Sequence, residues 1–381
     1  MSRLLVVFIT FGVLLYDQSL AQENWLDSVE FNADLRLRSE SIDDDKKEFR
    51  HRGRFRTRLG LTAKVNNNVQ TIFRLASGGG NPVSTNQSFD DGFSIKDIRL
   101  DLAYVDWALN DTTHIYGGKM KNPLYRAGSH PLIWDSDLSP EGLAVIHKKG
   151  RFFGTLATLV VEERSSSDNS FLVALQGGIN INIFDRGDFT GGIGYFDYSA
   201  TIGNQPFYNG QAKGNSVAID CSMLATGAIR VTSQLAPFCN PAIPEGNLIF
   251  DYNELEFFGQ FDTTIGNFPL SIFVNLVQNS GASINNNGYA FGAKVGKAKT
   301  PGDWQASWAW QNLKADAVIA TFTDSDFGGG GTDAKGHTLK SKYVLANNWA
   351  LAGTLFLNEI DISSDNRHDY SRLQLDLEFK F

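Results

Sequence analysis

Past its N-terminus the sequence contains no apolar run approaching the ~18 residues a membrane helix needs, so a polytopic helical membrane protein is excluded. It has no basic excess: the formal net charge is −8, which argues against a nucleic-acid partner. It is not poor in apolar residues (42%) and only 20% are charged, so it is not a disordered chain. No nucleotide-binding loop, zinc-helix motif or nucleophile motif occurs, and none of the six histidines sits in a catalytic spacing. No catalytic residue, metal site or cofactor is expected. There is no linker, second domain or low-complexity tail, and no short repeat of fixed period, which argues against a β-helix. What is plentiful is glycine (37) and aromatics (28 Phe, 11 Tyr, 7 Trp), in a chain whose mean hydropathy is only −0.21. That balance suits a transmembrane β-barrel, polar inside and apolar outside.

The first 21 residues read as an export signal. Arg3 supplies the positive start, Leu4 to Leu15 is an apolar run too short to span, and Ser19-Leu20-Ala21 has small residues at a cleavage site. The mature chain is then 22–381, and its charge stays −8 because Arg3 and Asp17 leave together. An uncleaved anchor helix is the alternative. The two cysteines, Cys221 and Cys239, would meet an oxidising compartment and are a disulfide candidate. Closing that loop would contribute about 3 kcal/mol, locally. Two free thiols are the other reading.

The mature sequence alternates with period two throughout. Val29, Phe31, Ala33, Leu35 and Leu37 interleave with Glu30, Asn32, Asp34 and Arg36. Phe55 to Val65 and Leu373 to Phe381 repeat the pattern. Short turns such as Asn66-Asn67-Asn68, Asn110-Asp111, Asp185 to Asp188, Thr300-Pro301-Gly302 and Asn347-Asn348 alternate with longer polar connections. The longer ones are Ser41 to Arg50, Gly78 to Gly92, Lys121 to Pro140, Arg164 to Asn169, Ala200 to Phe250, Asn279 to Asn287, Ala315 to Lys335 and Asp361 to His368. Counting both kinds predicts an all-β fold: an antiparallel transmembrane barrel of about sixteen strands, with short periplasmic turns and long extracellular loops. A soluble sandwich would not alternate its connections so regularly.

The second strand carries Arg52, Arg54, Arg56, Arg58 and Lys64 on one face. A lipid-facing arginine costs about 2–4 kcal/mol at the midplane, so this row must face the lumen. Arg36 and Arg38 from the first strand and Arg74 from the third extend it into a pore-lining basic wall. Asp135, Asp137 and Glu141 are read as the acidic residues of the third long loop, and Glu254, Glu256 and Asp262 lie near the tenth strand. Were the third loop to fold inward, its carboxylates would face Arg54, Arg56 and Arg58 across a constriction and set up a transverse field. The wall favours anions; the net charge and the acidic loop favour cations. A solvated basic face with no selective role is the competing reading.

Trp107, Tyr116, Phe152, Phe153, Trp304, Trp349 and Phe381 lie near strand ends, as an interfacial aromatic girdle would. Phe379 and the terminal Phe381, with apolar residues at every second position before them, resemble the signal read by the barrel assembly machinery. The segments Ile98 to Trp107, Tyr116 to Tyr125 (with Gly118-Lys119-Met120-Lys121-Asn122-Pro123) and Leu132 to Gly142 (with Trp134-Asp135-Ser136-Asp137-Leu138-Ser139-Pro140-Glu141-Gly142) resemble the putative porin family of Gram-negative outer membranes. The resemblance implies a water-filled barrel for passive diffusion of small hydrophilic solutes or ions, set in outer-membrane lipid and commonly a homotrimer. The arginine row is also similar to phosphate-selective porins O and P, although their individual phosphate ligands have no match here.

Three functions remain open on sequence: a passive porin, an anion- or phosphate-selective channel, and a surface binding protein or adhesin using the long loops. A coupled receptor is disfavoured because no plug domain precedes the first strand. A calcium site at Asp324, Asp326 and Asp333 is conceivable beside a glycine run, but the spacing is not that of an EF-hand and a solvated loop is the simpler expectation.

Overall fold

The computed structural model describes residues 28–183, 186–221 and 238–381. The export signal, Asp185 of one predicted turn and part of the longest predicted loop lie outside the described residues. Seventeen strands form one sheet. They are β1 (Val29–Asp44), β2 (Arg50–Lys64), β3 (Val69–Ser77), the two-residue β4 (Gln87–Ser88), β5 (Ile98–Asn110), β6 (Thr113–Lys119), β7 (Glu141–Lys149), β8 (Phe152–Glu162) and β9 (Ser170–Asn182). The second half holds β10 (Asp188–Tyr198), β11 (Tyr252–Ile265), β12 (Phe268–Asn279), β13 (Asn287–Gly296), β14 (Trp304–Leu313), β15 (Ala334–Ala346), β16 (Trp349–Ile360) and β17 (His368–Lys380).

Neighbouring strands pair antiparallel, and β1 pairs with both β2 and β17, so the sheet closes. The short β4 pairs with β2 alone, at Arg54–Ser88 and Phe55–Gln87, and stands outside the closed ring of sixteen. A 13-residue strand such as β5 is about 43 Å long and, tilted by ~45°, covers about 30 Å, the thickness of a hydrocarbon core. Closure removes the sheet edges that would otherwise leave backbone groups unpaired in lipid. The turns and loops alternate as the sequence predicts. Tight turns fall where a residue can take positive φ, as at Gly266 (φ 58°) between β11 and β12 and Asn348 (φ 63°) between β15 and β16.

Outward positions are apolar and exposed along most of the ring: Val173 and Leu175 on β9, Leu255 and Phe257 on β11, Ile272, Val274 and Leu276 on β12. Exposed apolar rows of this extent are explained by lipid contact. Trp107, Phe152, Trp304, Trp349 and Phe381 join this outer face at the turn end, with Trp349 stacked on Phe379 at 5.7 Å and Trp304 against Phe268 at 5.2 Å. Two residues expected in the girdle do not belong to it. Tyr116 packs on Tyr104, and Phe153 on Tyr125 and Phe258, all on the inner face. Strand parity, not nearness to a strand end, decides the face.

The core lies inside the barrel and to one side. Inward residues of β8 to β13 are largely apolar or small: Ala157, Leu172, Phe196, Tyr198, Phe258, Phe273 and Val277. Loop 120–140 folds in against them with Leu124, Leu132, Ile133 and Trp134, and loop 314–333 adds Ala317, Val318 and Ile319. The inner space left over lies along β1, β2 and β15 to β17, where the inward residues are charged.

Candidate functional site

Three adjacent strands build a charged inner wall, and their register explains how it is held. On β1, Asp34, Arg36, Arg38 and Glu40 stand opposite Arg58, Arg56, Arg54 and Arg52 of β2. On the other side they stand opposite Lys380, Glu378, Asp376 and Gln374 of β17. Directly opposed residues in such a ladder sit about 5 Å apart, close enough for charge pairing. Asp34 accepts hydrogen bonds from Arg56 (2.9 Å) and Arg58 (2.7 Å). Arg38 donates twice to Asp376, both at 2.7 Å. Glu40 accepts from Arg52 and Gln374. The wall is therefore basic in balance but studded with carboxylates, and a bare row of arginines does not exist. Self-repulsion of closely stacked guanidinium groups is offset within the wall.

Facing it are two loops that hold each other. The backbone N–H of Asp135 donates to the carbonyl of Phe322 (2.8 Å), and the Asp135 carboxylate accepts the N–H of Ser325 (3.0 Å) and of Asp137 (2.6 Å). The lower loop, 120–140, is pinned to the inner wall by Gln260 of β11, which accepts from Tyr125 Oη (2.9 Å) and Gly128 N–H (2.7 Å). Gln176 of β9 accepts from Tyr125 N–H (2.7 Å). Asn215 fixes the upper loop, 314–333, by donating to the carbonyls of Ala315 and Val318.

Between wall and loops lies a cavity of about 280 Å³, with Arg36, Arg38, Arg56 and Lys340 on one side and Asp135 and Asp137 on the other. A second cavity of about 370 Å³ toward the long-loop end is lined by Arg50, Arg52, Arg54 and Arg372. Ser325 and Asp326 line both. Electrostatically the loop aspartates differ. Burial, then the charges of Asp324 and Asp137, pushes the Asp135 carboxyl well above the usual range. Burial, then Asp326, raises Asp324. Asp326 is partly buried, yet Arg372 and Arg38 override that penalty and hold it below the usual range. His130 on the lower loop is held neutral by burial, at about 3.

The predicted residues separate into groups. Arg36, Arg38, Arg54, Arg56 and Arg58 share the inner wall. Asp137 reaches it, 3.8 Å from Arg58, and accepts from Thr85 Oγ1 at 3.2 Å. Arg74 pairs with Asp101 further round the ring, and Lys64 is exposed at the turn end of β2. Two acidic placements need correction. Glu141 opens β7, exposed, and pairs with Lys119 at 2.8 Å away from the cavity, because its parity points it outward. Asp135 does not face the arginines in the open; it is buried and bonded to the facing loop. Glu254 and Glu256 lie buried under the inward loops, accepting from Ile319 N–H and from Gln176 and Asn275. Phe379 and Phe381 lie on the outer face, and Phe381 exchanges backbone hydrogen bonds with Ala33 at the seam of the ring. The Cys221 and Cys239 sulfurs are bonded, with Cα atoms 5.2 Å apart. The aspartates weighed for calcium serve otherwise: Asp326 on arginines, Asp333 on the Ser363 N–H, Asp324 on the Asp326 N–H. Among the described residues no cluster of three His, Cys, Asp or Glu side chains is arranged to hold a metal.

The sequence reading did not assign Asp34, Glu40, Asp376 and Glu378 to the arginine wall, although each falls on the polar parity of its strand. It also passed over Gln176 and Gln260. The available signal was the set of inward apolar side chains on β8 to β13, such as Leu172, Phe196, Phe258 and Phe273, which require something to cover them.

A closed barrel with a charged lumen narrowed by inward loops is an architecture met before. The protein resembles the OprB of Pseudomonas putida at high pH, with 13% identity, 93% of this chain and 95% of that one covered, and a TM-score of 0.61. It resembles Salmonella typhi OmpF in complex with daunomycin (10% identity, 94% and 99%, TM-score 0.52) and a loop-deleted OmpT of Vibrio cholerae (11%, 93% and 100%, 0.51). At these identities the likeness is one of fold. No curated protein sequence matches. The putative porin family model matches residues 42–226 and 247–381, most of the chain and nearly all of the ring. The charged, loop-narrowed lumen is thus that of a Gram-negative outer-membrane porin, and the chain belongs to the putative porin family.

Proposed function

We propose that this porin passes small hydrophilic solutes and ions passively, through the space between the β1–β2–β17 wall and the two inward loops, with selectivity set by the field across it. The observation that carries this reading is one cavity lined on the wall side by Arg36, Arg38 and Arg56 and on the loop side by Asp137, with Asp326 docked on Arg38 at its edge. A transverse field of this kind orients dipolar solutes and discriminates ions by charge. The surplus of arginine over carboxylate on the wall favours a second reading, an anion-preferring channel. Catalysis has no support in the family or the fold.

The same reading includes residues 1–21 as a cleaved export signal and Phe379 and Phe381 as the mark read by barrel assembly. It also includes a homotrimer. Its support is an outer face that is small or polar toward the long-loop ends of β1, β2 and β17 (Ser39, Ser41, Gly53, Ser371), beside the fully exposed apolar Phe93 and Ile95. The test is planar-bilayer conductance of the refolded 22–381 chain, with reversal potential under a salt gradient. Stepwise ohmic openings are expected. A chain that folds to a verified barrel yet opens no channels refutes passive permeation.

A further inference from the structure

Asp326 is held in the lumen as a ligand would be held. Its Oδ1 accepts from Arg372 Nη1 at 2.5 Å and its Oδ2 from Arg38 Nη1 at 3.2 Å, so each oxygen sits on a different guanidinium. Charge-assisted bonds of this kind are among the strong ones a protein makes. Arg38 and Arg372 are on β1 and β17, part of the ring, and more than nine-tenths buried. Arg38 is also clamped by Asp376, so the ring, not the loop, shapes the cradle. Asp326 comes from the loop, and the glycine run 328–331 that follows it has positive φ at every position.

The cradle has donors to spare. The Nε groups of Arg36, Arg54 and Arg372 are buried with no hydrogen-bond partner, and the nearest carboxylate to Arg54 is Glu40 at 3.8 Å. Buried donors left unpaired are costly and favour an acceptor. Asp326 and Ser325 also stand between the two cavities, so an anion moving from one to the other meets these arginines.

We propose that the Arg38–Arg372 pair is a binding site for small oxyanions, carboxylate or phosphate, in transit through the lumen, and that Asp326 is its built-in occupant, which a passing anion displaces. This rests on the porin reading. A carboxylate with two oxygens on two guanidiniums defines the chemistry: a compact anion with at least two acceptor oxygens. While Asp326 is docked the site is neutralised, so strong anion capture is suppressed and permeation stays fast. Without that carboxylate the site would hold its anion longer.

The test compares the wild-type chain with Asp326→Asn and with Asp326→Asn/Arg372→Gln, each shown to be a folded barrel by its heat-dependent gel shift. The probes are acetate and inorganic phosphate added to potassium chloride. A unit charge about 8 Å from an ion in water shifts its partition about twofold, so the anion-to-cation permeability ratio of Asp326→Asn should rise about fourfold. Chloride current through Asp326→Asn should fall saturably with the probe anion, and the double variant should lose that response. Saturation by acetate alone assigns a carboxylate site; saturation by phosphate alone assigns a phosphate site. Thermal unfolding in acetate or phosphate against chloride at equal ionic strength reads the same site without conductance, and only Asp326→Asn should gain stability. Unchanged selectivity with no saturation, or saturation that persists in the double variant, overturns the proposal. A wild-type chain that opens no channels while Asp326→Asn is stabilised by the anion overturns the porin reading instead.

Discussion

Gly128 decides where the lower loop can lie, and replacing it should narrow the pore. Its backbone is left-handed (φ 62°), and a Cβ placed there would come within 2.2 Å of the Phe273 ring on the inner wall. Valine at this position meets two penalties. The left-handed conformation costs about 1–2 kcal/mol, and forcing atoms into a packed contact costs about 1–3 kcal/mol. The sum, about 2–5 kcal/mol, competes with what pins the segment locally. That is four hydrogen bonds, from Gly128 N–H and Tyr125 Oη to Gln260, from Tyr125 N–H to Gln176 and from Gln176 Nε2 to the Tyr125 carbonyl, at about 1 kcal/mol each. The penalties rival the pins, so the segment should shift off the wall. It cannot leave altogether, because Leu124, Leu132 and Trp134 stay buried on either side of it.

The direction of movement follows from what surrounds the segment. Phe273 lies behind it, and Ser129 and Pro131 already line the lumen cavity in front. A segment pushed off Phe273 can move only toward the arginines. Single-channel conductance of Gly128→Val should therefore fall, with Gly128→Ala intermediate. Adding Phe273→Ala should restore conductance by making room, a coupling that a double-mutant cycle measures. Wild-type conductance in Gly128→Val, or a loss that Phe273→Ala does not rescue, would show that the loop is not seated on this ring.

Two further outcomes test the charged network. Arg38→Gln leaves Asp376 buried without its doubly bonded partner, and breaking a buried pair costs about 3–5 kcal/mol, so the temperature of the barrel's gel shift should fall; an unchanged temperature would mean the pair is solvated. Asp135 and Asp324 hold protons above the usual carboxylate range, so between that range and their raised values the folded loops bind more protons than an unfolded chain. The packing they contribute is strongest on the acid side and weakens as pH rises. Each ionisation also adds negative charge to the lumen. Reversal potentials from about pH 4 to about pH 8 should drift toward cations, and Asp135→Asn/Asp324→Asn should flatten the drift. Asp326, held low by Arg372 and Arg38, should contribute nothing to the drift in that window.

Much of the ring was legible because a membrane barrel imposes one rule on every strand. The cost of an arginine in lipid assigns the face of β2 without any structure, and the turn residues mark its ends. What alternation leaves open is register. Asp34 and Arg58 both read as inward from sequence, but nothing in either strand says that they stand opposite one another. The expectation of a bare basic wall failed on that point. The β1–β2 register sets Asp34 beside Arg58 and within reach of Arg56, and the β1–β17 register sets Asp376 beside Arg38 across 338 positions of sequence. Glu141 failed on parity by one position: it follows the loop in sequence but is the first residue of β7, facing outward.

The loops were harder, since their positions depend on which inner surfaces need cover. Phe196, Tyr198, Phe258 and Phe273 alternate correctly with the lipid-facing residues of their strands, so β10 to β12 carry apolar rings on both faces. A water-filled lumen would leave those inner rings wet. They are dry because two loops lie on them, and the loops' own apolar residues are buried there in turn. The charged inner face of β1, β2 and β17 offers no apolar surface, and the loops meet it through charged contacts, Asp326 on Arg38 and Arg372 and Asp137 near Arg58. The eccentric pore is thus a consequence of sequence asymmetry around the ring. Inward substitutions on β10 to β12 should act first on stability, through loop packing, and inward substitutions on β1, β2 and β17 on selectivity, through the charges the permeating ion meets.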